Sequence, residues 1–329
     1  MASKNVKAKK VNKNKLNLNK VLFYLKSLIN NGIVKEIGIR HWISSIFIFL
    51  VSIFISVIPV LTTEATRNGS SSINNQYNDV LVESLYNYVN SDETLDFQII
   101  DHKASLVLGN NENALYTYER GTSRIDYYFF DTNEGMPSLS EQANSLLENN
   151  PNIQSYFFIS TSSFQVHLTN PSSGQVVGMA NGGYNHIDNI TSFKNYIKEG
   201  VDETLTISEI KTAYNEKINE FFDLGYLDLR GQQVGMTVGI CLGINAGITI
   251  IVVPILFLMT RGKNNPNRSI KFYQIMGVGF HATLSPAILA LIIGYIMGGA
   301  FQYMSMLYVM CYGFRAMWLA MKYLRPPME

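Results

Sequence analysis

Polar and ionisable side chains are rare inside the long apolar runs of this 329-residue chain, and any chemistry there would fall to those few. His281 stands in GVGFHATLSPAILA, with Thr283, Ser285 and Pro286 close behind it, and Asn245 stands in GICLGINAGITI. An ionisable group at membrane depth is costly, so it marks a proton or ligand path by default. Its plainer role is to hydrogen-bond one helix to another, worth ~0.6 kcal/mol per bond on average. The plainer role is the expectation here, with Asn245 and His281 bonding each other across antiparallel helices. Pro286 has no N–H and frees the carbonyl near residue 282, which predicts a kink. The run around Asn245 also carries Gly235, Gly239, Gly243 and Gly247. Glycines at spacing four form one smooth stripe, a pattern for close helix packing. Its expected partner is the run holding Gly277 and Gly294, or another subunit.

The remaining candidates are outside the apolar runs. Arg261, Lys263, Arg268 and Lys271 crowd into one short loop and are candidates for cytoplasmic contacts. His102, His167 and His186 are scattered, and His167 falls in a strand-like run that suits a structural histidine. Asn110–Asn113 and Asp131–Gly135 are oxygen-rich, but they lack the ligand spacing of a calcium loop and read as solvated turns. No His-Glu-x-x-His, Gly-x-Ser-x-Gly or phosphate-loop pattern occurs. The expectation is a protein without catalysis of its own, with no cofactor and no metal. Cys241 and Cys311 both lie in apolar runs, so any domain outside those runs must fold without disulfides.

Four apolar runs organise the chain: residues 42–61, 234–259, 272–297 and 300–321. Each is long enough to cross a hydrocarbon core of ~30 Å. Between the first and second lie 23 of the 25 acidic residues and nine of the 26 basic ones, a net charge of about −14 for residues 62–231. That charge keeps the block soluble and disfavours polyanions such as nucleic acid. Ten basic residues precede Trp42, and others follow in the loop 260–271 and in the tail 322–329. Basic residues near span ends stay in the cytoplasm. The expected topology is therefore four transmembrane helices, both termini cytoplasmic and residues 62–231 extracellular, in a plasma membrane. The first run is too long for a cleaved signal peptide and lacks a small-x-small site after it, so it reads as an anchor. The abundance of Asn, Ile and Lys suggests a bacterial source with an AT-rich genome.

Residues 1–15 are Lys- and Asn-rich, the composition of a disordered tail. Leu18, Val21, Leu22, Leu25, Leu28 and Ile29 repeat at helical spacing, so residues 16–41 read as an amphipathic helix at the inner membrane surface, with a break at Asn30-Asn31-Gly32. In the acidic block, helices are expected at 76–91, at 138–148 behind a capping box opened by Ser138, and across 190–223 with an interruption near Leu205. Strand-like runs fall at 95–100, 114–116, 124–130, 153–160, 163–168 and 175–179. That order implies a compact extracellular α+β domain with a small, mostly antiparallel sheet.

Three segments resemble a family of bacterial membrane proteins that carries the label maltodextrin-utilisation protein. They are FYLKSLINNGIVKEI with the first run ending in Ile58-Pro59, then Tyr273-Gln274 leading to Ala282-Thr283 and Pro286, and finally Leu307-Tyr308 through Arg315-Ala316. The resemblance covers the membrane parts and implies a link to sugar uptake, with no defined activity. The plan of one span, a large exported domain and three more spans is also similar to the cell-division type of ABC-transporter permease, with Gly277 followed nine residues later by Pro286. The functional expectation is an accessory or scaffolding component in the lipid bilayer, with a membrane-protein partner. The alternatives are a permease-like subunit driven by a cytoplasmic ATPase and an extracellular ligand sensor.

Overall fold

The structure is a computed structural model, and it describes residues 22–73, 75–91, 96–107, 114–131, 136–149, 153–202, 204–297 and 301–325. The expected disordered tail, the turn at Gly298-Gly299, the loop Asn110–Asn113 and most of Asp131–Gly135 lie outside those residues.

In chain order the helices and strands are α1 (Asn31–Arg40), α2 (Trp42–Ala65), α3 (Asn75–Asn90), β1 (Phe97–Ile100), β2 (Lys103–Leu106), β3 (Ala114–Arg120) and β4 (Ser123–Phe130). There follow α4 (Met136–Asn149), β5 (Ser155–Ser160), β6 (Ser163–Thr169), β7 (Val176–Gly183), α5 (Phe193–Lys198) and α6 (Ile207–Met259). The last are α7 (Phe272–His281), α8 (Leu284–Ile296) and α9 (Phe301–Leu319). The chain divides into an α+β unit, residues 65–233, and a helical unit made of residues 1–64 and 234–329.

The α+β unit is built on a five-stranded sheet in the order β3-β4-β5-β6-β7. Only the β4–β5 pair is parallel, and α4 supplies the crossover that a parallel pair requires. Strand β5, SYFFIS, is buried at every position. Side chains alternate between faces along a strand, so Phe157 and Ile159 enter one cluster and Tyr156 and Phe158 the other. The second cluster is closed by Leu139 and Ala143 of α4. The first is aromatic: Phe157, Phe164, Phe193, Phe221 and Phe222 meet edge-on or tilted, with centroids 4.9–6.2 Å apart. Such pairs add to the area they bury.

Several buried polar groups in this unit are matched to partners. Asp126 is fully buried and accepts from Thr117 Oγ1 at 2.7 Å and from Arg124 through Nε at 2.8 Å and Nη2 at 3.0 Å. The Tyr127 hydroxyl meets Ser84 Oγ at 2.8 Å, and burial raises its pKa. The Tyr184 hydroxyl donates to the carbonyls of Ser160 and Ser163. His167 stacks on Tyr156 at 5.0 Å, and burial lowers its pKa from 6.5.

Three readings of the sequence need correction. Helix α4 starts at Met136, so Ser138 lies inside the helix and does not cap it. Strand β2 had no sequence signal because its hairpin turn, Asp101-His102, uses two residues at φ 50° and 62° without a glycine. The turn is held from elsewhere: Asp101 N–H donates to Asn189 Oδ1 at 3.0 Å, and His102 Nδ1 lies 3.0 Å from the Tyr184 carbonyl. The helix expected over 16–41 is in two pieces as its break implied, residues 22–26 and α1, but the break falls at 27–30 and α1 already starts at Asn31; residues 16–21 lie outside the described set. Asn30 caps α1 by accepting from Gly32 and Ile33 N–H.

In the helical unit, three stretches are long and apolar enough to cross a membrane: Trp42–Ala65, the latter part of Ile207–Met259, and Phe272–Ile296. Their outward residues, among them Phe47, Phe54, Ile251, Leu258, Ile292 and Ile296, are exposed apolar surface suited to lipid. The third stretch is interrupted at Ala282-Thr283, three to four residues before Pro286, where the missing N–H frees a carbonyl. The run 300–321 forms α9, which is not among the three apolar stretches. Tyr308 and Tyr312 lower its hydropathy, yet both are fully buried against the unit's core. Helices α1 and α7 touch backbone to backbone: a Cβ on Gly277 would lie 2.4 Å from the Gly38 carbonyl oxygen, and one on Gly38 2.4 Å from Val278 Cα.

Two outcomes are expected. Arg124→Met leaves the Asp126 carboxylate buried with one donor of three and costs ~3 kcal/mol or more, read from denaturant unfolding of the full chain in detergent. His167 binds a proton less readily folded than unfolded. Stability therefore holds above pH 6.5 and declines as the pH falls below it. His167→Gln should flatten that decline, and an unchanged slope would refute it.

Candidate functional site

The polar side chains of the helical unit gather at breaks in its helices. A helix end leaves up to four carbonyls without a partner, and here side chains from distant segments supply the donors. Asn265 Nδ2 donates to the Met259 carbonyl at 3.0 Å, where α6 ends, and to the Leu324 carbonyl at 2.6 Å. Asn267 Nδ2 donates to the carbonyls of Tyr323 and Leu324. Lys35 on α1 reaches Asn267 Oδ1 at 2.6 Å and the Tyr323 carbonyl at 3.0 Å, and burial lowers its pKa. Three basic segments, α1, the loop 260–271 and the end of the chain after α9, therefore meet at one place.

The loop itself is braced from inside. Arg261 donates to the carbonyls of Arg268 and Ile270, and its guanidinium lies 4.0 Å from the Phe257 ring centroid. Asn265 accepts from Asn267 N–H at 2.8 Å and caps the short turn Pro266–Ser269. Arg261 is thus spent on the loop's own fold. Lys263, Arg268 and Lys271 remain exposed. Lys271 lies over the Tyr273 ring at 5.9 Å.

The intramembrane candidates are split among different partners. Asn245 does not bond His281. Its Nδ2 donates to Ser56 Oγ of α2 at 3.0 Å, and its carbonyl accepts from Thr249, which meets the Tyr308 hydroxyl at 3.1 Å. His281 Nε2 lies 2.9 Å from Ser27 Oγ, whose hydroxyl contacts the Tyr24 carbonyl at 2.6 Å. Thr283 Oγ1 donates to the Phe280 carbonyl at 2.7 Å and helps close the break between α7 and α8. Ser285 accepts from Arg315 of α9. Arg315 also donates to the Ser27 carbonyl and, at 3.1 Å, to Asn31 Oδ1. Sequence reasoning did not single out Ser27, Ser56 or Arg315 as site residues. Serine signals little inside an apolar run, and Arg315 entered through the family resemblance.

Among the described residues the glycine stripe meets nothing. A Cβ added at Gly235, Gly239, Gly243 or Gly247 finds no atom within 4 Å, so the run holding Gly277 is not its partner. Gly277 is spent on Gly38 and Trp42 of the N-terminal segment. Among the described residues no group of three His, Cys, Asp or Glu side chains could hold a metal. No family model, no curated protein and no solved structure matches the chain.

Two substitutions separate these arrangements. Asn265→Leu leaves the Met259 carbonyl without its side-chain donor, at about 1–3 kcal/mol, and the Leu324 carbonyl with Asn267 alone, and should lower the unfolding temperature in detergent by several degrees. Gly277→Ala should cost about 1–3 kcal/mol through overpacking against Gly38, whereas Gly239→Leu should leave the unfolding temperature of the monomer unchanged.

Proposed function

We propose that this chain is a four-span plasma-membrane protein with both termini cytoplasmic and the acidic α+β unit outside, acting as an accessory or scaffolding component. The observation that carries the reading is the braced basic loop. Lys263, Arg268 and Lys271 stand exposed on a segment whose own backbone is already tied down by Arg261, Asn265 and Asn267. A surface ordered in advance does not lose that order on binding, which favours docking of a partner. Its charge suits an acidic cytoplasmic protein. The meeting of α1, this loop and the chain's end supports one shared side for all three, as the positive-inside rule requires. The tyrosines of α9 face inward, which supports its reading as the fourth span despite its modest hydropathy. The sugar-uptake link rests on the resemblance of the apolar runs alone.

Topology is tested by single cysteines placed at Asn264 and Ser173 in a chain whose Cys241 and Cys311 are replaced. A membrane-impermeant maleimide on intact cells should label position 173 and spare position 264 until the cells are opened; the reverse pattern overturns the topology. The partner is tested by purifying tagged protein from native membranes in mild detergent. An associated protein that is lost when Lys263, Arg268 and Lys271 become Gln supports the docking role. If that protein is an ATPase, the permease-like reading replaces the accessory one. If nothing depends on the loop, the docking role fails.

A further inference from the structure

A cleft of about 450 Å³ in the helical unit is lined by both apolar and cationic side chains. Leu28, Pro286, Leu289, Phe314 and Trp318 form the apolar wall, while Arg315 and Lys322 are its cations. Leu289, Phe314 and Trp318 are among the exposed apolar residues, so the wall opens to whatever solvates the helices. A guanidinium carries five N–H groups. Three are used, by Nε to Asn31 Oδ1, by Nη1 to Ser285 Oγ and by Nη2 to the Ser27 carbonyl. One N–H on each Nη has no described partner, and two neighbouring donors of that kind match two oxygens of a phosphate.

The charge is unmatched as well. Every described acceptor of Arg315 is neutral. The described acids of the helical unit are Glu36, paired with Arg40 at 3.0 Å, and Glu64 of α2. Outside the described residues, 1–21 contain no Asp or Glu and 326–329 contain Glu329 alone. A half-buried cation without a carboxylate retains much of its desolvation cost, and an anion in the cleft would relieve it. Lys322 lies in the short π-helical turn Ala320–Leu324 that continues α9, and it lines the same cleft as Arg315.

We propose that this cleft is a binding site for an anionic glycerophospholipid, with the phosphate on Arg315 and Lys322 and the start of an acyl chain along Leu289, Phe314 and Trp318. The apolar wall distinguishes a lipid phosphate from a free one. The proposal rests on the reading of the helical unit as membrane-embedded, and the test separates the two.

The full chain is reconstituted in vesicles of phosphatidylcholine in which a minor fraction is brominated phosphatidylglycerol or brominated phosphatidylcholine. Bromine quenches nearby tryptophan, and the chain has only Trp42 and Trp318. The difference between the wild type and Trp318→Phe reports Trp318. Brominated phosphatidylglycerol should quench Trp318 with a relative binding constant at least about fivefold above that of phosphatidylcholine, the increment of one interfacial cation. Lys322→Gln leaves every bond of Arg315 in place and should remove most of that preference. Arg315→Gln should remove the rest if the variant folds. Equal quenching by the two lipids overturns the site and leaves the membrane reading standing. No quenching of either tryptophan by brominated phosphatidylcholine overturns the membrane reading instead. Inorganic phosphate in zwitterionic micelles should give no thermal shift. A shift equal to that from phosphatidylglycerol would assign the site to free phosphate and overturn the lipid.

Discussion

The helical unit depends on donors that reach across the chain to the carbonyls at its helix ends. In water such carbonyls are solvated, and near hydrocarbon they have no such option. Asn265 is the central case, since its one amide group serves the end of α6 and the segment after α9 together. Lys35, Asn267 and Arg315 repeat the device with donors from α1, the loop and α9. The bonds join segments far apart in sequence, so they fix which helix ends lie together. Packing between apolar helices in lipid has no hydrophobic driving force of its own to do this. Basic residues and asparagines at this end thus have a structural role beside any part in orientation. Side chains that only marked the cytoplasmic face would need no such partners.

The α+β unit solves the same problem by different means. Its strands pair within the sheet, and its fully buried carboxylate sits in a small closed set, Asp126 with Arg124 and Thr117. With no cysteine in the acidic block, stability must come from burial. Aromatic rings fill the space between β5 and the helices, and α4 closes the opposite face of the sheet. Charge stays on the surface, where a large net value favours solubility without deciding the fold.

What was legible in the sequence follows from this contrast. The strands that carry alternating or continuous apolar runs, β4, β5 and β6, could be placed within a residue or two, because burial itself writes the pattern. The break near Pro286 was legible because a missing N–H has one local consequence. The hairpin β1–β2 was not, since its turn depends on Asn189 and Tyr184, 82 to 88 residues away. The partner of the glycine stripe was not legible for a related reason. Spacing reports a smooth face, but not what covers it, and the close contact goes to Gly38, which has no small residue at spacing four.

The polar residues inside the apolar runs make the same point about chemistry. Asn245 and His281 were expected to bond each other, yet Asn245 bonds α2, while His281 and Arg315 both reach Ser27 in the segment before α1, and Arg315 also reaches α8. A pathway needs groups in series, whereas Asn245 bonds apart from the other two, and His281 and Arg315 meet at Ser27 as ties between helices. Neutral acceptors suffice for Asn245 and His281 in that role. Arg315 differs, because neutral acceptors can satisfy its N–H groups but cannot balance its charge. The position is therefore set apart by electrostatics, where hydrogen-bond counting alone would treat it as one more link between helices.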